Sequence, residues 1–149
     1  DNPKGYYEFE RVKKLKEGDV AWLPEAEGKA TKIISALLVH MPLDYEYRVL
    51  MMRRKMEEIL ASQDKMLERR GEESKVPDEK MAELYRKHMR QVEEWMNNQP
   101  NVTYIDVDYN ALLEDPQLHL ARINHFLGGD LDIEKMAAVV DPDLYRQRK

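Results

Sequence analysis

The chain has 149 residues, with 24 lysines and arginines against 29 aspartates and glutamates, a net charge of −5. That length suits one domain, which buries about 70% of its unfolded surface, and the acidic balance excludes a general nucleic-acid binder without excluding a local basic site for a small anion. With no cysteine in the sequence, disulfides, zinc–cysteinate centres and thiol nucleophiles are excluded together, in keeping with a reducing, cytoplasmic setting.

In chain order, residues 6–16 carry a helical pattern. Residues 31–35 (TKIIS) form a short β-branched run and are read as a strand. Residues 47–52 (YRVLMM) give a stronger strand pattern, and residues 55–70 follow as a helix with Met56, Ile59, Leu60, Gln63 and Leu67 on one side. Residues 68–77 (ERRGEESKVP) are polar and read as an exposed connection. Asp78 is the expected N-cap of the longest helix, which runs to Asn98 with Met81, Leu84, Tyr85, His88, Val92 and Trp95 on its stripe. A third strand, 102–107 (VTYIDV), follows the turn signal Gln99-Pro100-Asn101. Asp115-Pro116 opens a further helix that stops at the Gly128-Gly129 pair. A short helix over 132–139 and the tail DPDLYRQRK finish the chain.

Each strand is a compact apolar run, as strands covered on both faces tend to be, and strands alternating with helices predict an α/β layer fold with a mostly parallel sheet. No apolar run nears the roughly 20 residues of a membrane span. The opening DNPKGYYE is no signal peptide and lacks an initiator methionine, so a fragment is expected.

In open parallel sheets, ligands bind beyond the carboxyl ends of the strands. Arg54 stands at such an end in MMRRKMEEILASQ, with Ser62 about two turns into the next helix. A forked guanidinium and a short hydroxyl donor suit a phosphate monoester. The spacing alone is equally that of two solvated residues.

RRKMEEILAS resembles the segment of the sulfotransferases in which a strand-end arginine and a helix serine hold the ribose phosphate of phosphoadenosine phosphosulfate. YNALLEDPQLHLARINHFLG, residues 109–128, is similar to that family's segment from a tyrosine beside the adenine to a Phe-Leu-Gly helix end. NPKGYYEFERV, residues 2–12, resembles a segment of bacterial members. The resemblance implies a three-layer, P-loop-nucleotide-kinase-like sheet flanked by helices and N-terminally incomplete, with residues 1–149 as one sulfotransferase-like domain. It implies Arg54, Ser62 and Tyr109 at the nucleotide, with Arg146 from the basic tail as a further ribose-phosphate candidate beside the simpler reading of a solvated terminus. The co-substrate would be phosphoadenosine phosphosulfate, leaving adenosine bisphosphate, and no metal is called for.

Two departures from the family shape the expectation. No strand followed by a glycine-rich phosphate loop occurs in these residues, so the chain is expected to lack the phosphosulfate half of its site and to transfer no sulfate alone. Where many eukaryotic members place Lys-Thr-His, at the end of the segment matching 31–35, this chain has Ser35-Ala36-Leu37. His40 is then a candidate base, imidazole titrating near neutral pH, and Lys32 a candidate for neutralising developing charge. The plainer readings are a packed or capping His40 and a lysine that begins a strand.

His88 shares the apolar stripe of its helix and reads as a hydrogen-bonded core or interface residue. His119 and His125, six apart, miss the spacing for a shared metal. Asp106 and Asp108 would face one side of a strand but lack a third ligand, so solvated or capping roles are expected. The nine methionines and Trp95 read as core filling, with Met81 and Met96 at a groove.

Two functions compete: transfer of a sulfuryl group to an alcohol or amine, on a small molecule or glycan, and a non-catalytic α/β interaction module without the loop; a kinase-like nucleotide protein is a third, weakened by the same missing loop. No nucleic-acid or membrane partner is expected. Self-association is expected through an exposed sheet edge or the Asp78–Asn98 helix.

Overall fold

The computed structural model describes residue 7, residues 9–72 and residues 76–144. A 3₁₀ helix, Glu10–Glu17, comes first and buries Val12 and Leu15. It stops at Gly18, whose φ of 85° sends the chain back so that the Gly18 and Asp19 N–H groups reach the carbonyls of Leu15 and Lys14. Glycine reaches this left-handed conformation without a Cβ clash.

Two single-turn helices follow, α1 (Leu23–Ala26) and α2 (Ser35–Leu38). Strand β1 (Tyr47–Arg53) leads into α3 (Met56–Arg70), and α4 (Asp78–Asn98) leads into β2 (Val102–Asp108). The chain closes with α5 (Tyr109–Glu114), α6 (Pro116–Leu127), α7 (Ile133–Ala138) and a 3₁₀ turn, Pro142–Leu144. Strands β1 and β2 pair in parallel as a two-stranded sheet, so the described fold is mixed α/β and predominantly helical. No described helix is long and apolar enough to cross a membrane.

The chain divides into two compact units: Asp1–Tyr47 with Arg86–Val102, and Arg48–Tyr85 with Thr103–Lys149. In the first, Trp22 is 1% exposed. Its indole N–H donates to the Asp19 carbonyl at 2.9 Å, and Phe9 meets it edge-on at 5.5 Å. Arg11 grips Asp19 through Nε at 3.1 Å and Nη2 at 2.7 Å, and these bonds hold the Asp19 carboxyl below its ordinary pKa. In the second unit, Val107, Leu112, Leu120 and Ile123 form a buried cluster, with Leu50 and Ile105 of the sheet and Leu127, Ile133 and Met136 packed against it.

Helix starts follow side-chain chemistry. Asp108, Asp115 and Asp132 each cap the helix after them, accepting from the N–H groups of Ala111, Leu118 and Lys135. Each satisfies an amide that the first turn leaves without a partner. At the far end of α6, Gly128 has a φ of 121°, and a Cβ there would stand 3.7 Å from Arg48 Nη1. That guanidinium donates to the Phe126 carbonyl at 3.2 Å, tying β1 to the helix end.

Four sequence expectations are corrected. Residues 31–35 are no strand: residues 31–34 join no described ladder, and Ser35 opens α2. Ile34 is extended, with φ −72° and ψ 140°, but it is 59% exposed, and β propensity makes no strand without a neighbour to pair with. Asp78 lies inside α4 rather than capping it, because the first helical bond runs from Met81 N–H to the Pro77 carbonyl. The buried stripe of α4 is Ala82, Met89, Val92 and Met96, while Leu84 is 47% exposed. That is the 3–4 spacing rotated by about one position, which brings Met89 inside and places Met96 in the core rather than at a groove. Helix α3 ends at Arg70 as expected, so the polar connection begins at Gly71 rather than at residue 68.

Candidate functional site

Because β1 and β2 run in parallel, their carboxyl ends lie at one end of the sheet, where α/β folds place ligands. Arg54 follows β1 directly, and Tyr109 follows β2 as the first residue of α5. The Arg54 guanidinium carbon sits 5.2 Å from the centre of the Tyr109 ring, within cation–π range. The structure therefore brings these two predicted site residues together.

The side chain that organises them is one the sequence analysis did not single out. Glu58, in the first turn of α3 and four residues after Arg54, is 2% exposed. Its Oε2 accepts from Arg54 Nε at 2.6 Å and its Oε1 from Asn110 Nδ2 at 2.8 Å. Asn110 is itself buried, and its Oδ1 accepts from the Lys55 backbone N–H at 3.4 Å. The sequence offered only an arginine and a carboxylate four residues apart, a spacing that Arg53 and Glu57 share, and Arg54 precedes the helix that carries Glu58. What the sequence could not show is that the carboxylate is buried.

Ser62 lies on α3 one further turn beyond Glu58, and its residue is exposed. No described hydrogen bond joins it to Arg54 or Tyr109, and its place on the helix is set by the 54–58–62 spacing alone. Arg53 points to different work: its Nε donates to Asp106 Oδ1 at 2.7 Å, a cross-strand ion pair between β1 and β2. Asp108 serves capping, as the sequence reading expected, whereas Asp106 is held in a cross-strand ion pair that the expected solvated or capping role did not include. Among the described residues, no cluster of three or more metal-ligating side chains occurs.

The two catalytic candidates belong to the other unit. Lys32 is exposed and lines a half-open cleft of about 310 Å³ with Phe9, Trp22, Lys29 and Thr31. His40 is exposed and lies outside that lining; its backbone N–H closes the turn after α2 on the Leu37 carbonyl. The histidine that does reach the segment 31–35 is His88 of α4, whose Nε2 lies 2.8 Å from Ser35 Oγ. This is the hydrogen-bonded role expected for His88, and it anchors the first turn of α2 to α4. Arg146 and the segment 2–6 lie outside the described residues.

A network around Asn101 holds the approach to β1. Its Nδ2 donates to the Tyr45 carbonyl at 2.7 Å, and its own carbonyl accepts from Tyr47 N–H at 2.8 Å. The Tyr47 hydroxyl donates to the Pro42 carbonyl at 2.8 Å, and burial, aided by Tyr45 and Asp44, pushes that phenol up to about 12. Asn101 Oδ1 is buried with no partner.

No protein-family model, curated protein or solved structure matches this chain.

Proposed function

We propose that residues 1–149 carry the ribose-phosphate half of a sulfotransferase nucleotide site. The observation that supports this is the meeting of Arg54 and Tyr109 beyond the carboxyl ends of two parallel strands. A guanidinium offers forked donors to a phosphate, and a tyrosine face beside it suits a purine. On this reading the sheet belongs to a three-layer, P-loop-kinase-like fold, and the co-substrate is phosphoadenosine phosphosulfate. An acceptor oxygen or nitrogen forms the new bond to sulfur while the bond from sulfur to the leaving phosphate oxygen breaks. The acceptor proton passes to a base, for which His40 is the candidate, and Lys32 would offset developing charge. Ser62 and Arg146 would add donors to the ribose phosphate.

The reading requires a backbone loop around the phosphosulfate, and residues 1–149 contain no glycine-rich strand–loop–helix stretch. Removing one preorganised oxyanion donor costs about 3–4 kcal/mol, so these residues alone are expected to bind adenosine 3′,5′-bisphosphate weakly and to transfer no sulfate. Calorimetry with that nucleotide tests the reading. Arg54→Lys, which keeps the charge and loses the fork, should weaken binding by about 1.5 kcal/mol or more. Equal affinity in the variant, or no binding by the parent, overturns it.

One observation favours a second reading. The Arg54 charge is already compensated by the buried Glu58 carboxylate. In a non-catalytic interaction module that pair would be structural, and the nucleotide titration would be silent.

A further inference from the structure

We infer that Glu58, braced by Asn110, is the positioning residue that sets the Arg54 guanidinium against Tyr109 for an incoming phosphate, an inference that rests on the nucleotide reading above. A buried carboxylate is tolerated only when its charge is matched and its oxygens are hydrogen-bonded. Glu58 meets that condition at both oxygens: Oε2 on Arg54 Nε at 2.6 Å and Oε1 on Asn110 Nδ2 at 2.8 Å. Asn110 passes the constraint on, because its Oδ1 holds the Lys55 N–H, the residue between Arg54 and α3. The three bonds join the end of β1, the first turns of α3 and the first turn of α5. Both strand ends are therefore braced by one chain of side chains.

The consequence for Arg54 is loss of freedom before any ligand arrives. A long arginine side chain gives up much of its rotamer freedom on being fixed. Here Nε is already committed to Glu58 and the guanidinium lies 5.2 Å from the Tyr109 ring centre. An anion at the strand ends meets an oriented fork rather than a mobile cation, which is how preorganisation improves affinity. Glu58 touches no ligand in this account. It acts through Arg54, and both charge and length matter: one carboxylate must reach Arg54 Nε and Asn110 Nδ2 together.

The test uses residues 1–149 and two readouts. The first needs no ligand: the Arg54 Nε–Hε cross-peak in nitrogen-15 correlation spectra at pH 6, assigned by its loss in Arg54→Lys. In the parent it should be well resolved and slow to exchange with water. In Glu58→Gln, which keeps shape and loses charge, and in Glu58→Asp, which keeps charge and shortens the arm, it should move and exchange faster. The second readout is affinity for adenosine 3′,5′-bisphosphate, expected to fall about tenfold in both variants, the scale of ordering one long side chain on binding. An unmoved cross-peak in both variants overturns the positioning role. So does a moved cross-peak with unchanged affinity. A parent that binds no nucleotide overturns the nucleotide reading instead, and the cross-peak then decides on its own whether Glu58 orients Arg54. Should Glu58→Asp fail to fold, Glu58→Gln carries both readouts.

Discussion

Residues 47–62 and residues 31–40 both run from an extended segment into a helix, and they treat their polar side chains in opposite ways. In the first, Arg53 pairs with Asp106 across the sheet and Arg54 pairs with a glutamate 2% exposed. In the second, Lys32 and His40 are exposed, and Ser35 is held by His88. The difference follows from pairing. Strand β1 has a parallel neighbour that fixes its backbone, so the side chains at its end are held where a second strand's end can meet them. Residues 31–34 join no described strand, so no neighbouring strand fixes the backbone there, and Lys32 is exposed.

The largest expected effect tests that contrast. Arg54→Ala removes the cation from a buried carboxylate and should cost about 3 kcal/mol, the low end for breaking a buried pair because the arginine side chain is partly exposed. Replacing both partners, Arg54→Met with Glu58→Leu, should recover only part of that loss, since it removes the buried charge but leaves the Asn110 amide without its acceptor. Urea unfolding measures both. If the double variant is as unstable as Arg54→Ala, Glu58 contributes more than an ion pair to the junction.

A smaller loss is expected in the other segment. Ser35→Ala leaves His88 Nε2 without its hydroxyl partner and should cost about 1 kcal/mol. A loss as large as that of Arg54→Ala would mean that α2 is braced as firmly as the end of β1.

Alkaline pH sharpens the comparison at the start of β1. The Tyr47 phenol is raised from 10.0 to about 12 in the folded chain, chiefly by burial. Its protonated form is therefore favoured by folding, so its contribution is complete below pH 10 and lost as pH rises toward 12. Tyr47→Phe should flatten the fall in stability across that window in a pH series of urea midpoints. An unchanged slope would place the alkaline loss on other tyrosines.

Much of this arrangement can be read from residue pattern. The apolar runs of β1 and β2, the Asp115-Pro116 helix start and the Gly128 stop all act locally, through propensity and capping, and each stands where its residues predict. So do Arg54 and Tyr109, because strand ends are visible as the ends of apolar runs. Residues 31–35 have the β-branched composition of a strand, but a strand exists only with a partner, and composition does not name one. Glu58 illustrates the same limit. On a helix rich in charge, nothing in KMEEILASQ distinguishes the buried Glu58 from the exposed Glu57, since the distinction comes from Asn110, 52 residues away. The α4 stripe shifts for a related reason: several of its apolar residues compete, and packing selects Met89 and Met96 over Leu84.

The smallest expected effect bears most directly on chemistry. His40→Ala and Lys32→Ala should each change stability by no more than about 0.5 kcal/mol, because both residues are exposed. That neutrality makes them clean probes. In a protein that joins residues 1–149 to a phosphosulfate-binding loop and transfers sulfate, a general base contributes about 10²–10⁴-fold in rate. If His40 is that base, His40→Ala should lower turnover by at least a hundredfold while the urea midpoint and the affinity for adenosine bisphosphate stay fixed. A turnover loss that tracks a shifted midpoint would instead mark His40 as part of the turn after α2. An undiminished rate would remove it from the reaction and leave the base to be found among other groups, Lys32 first.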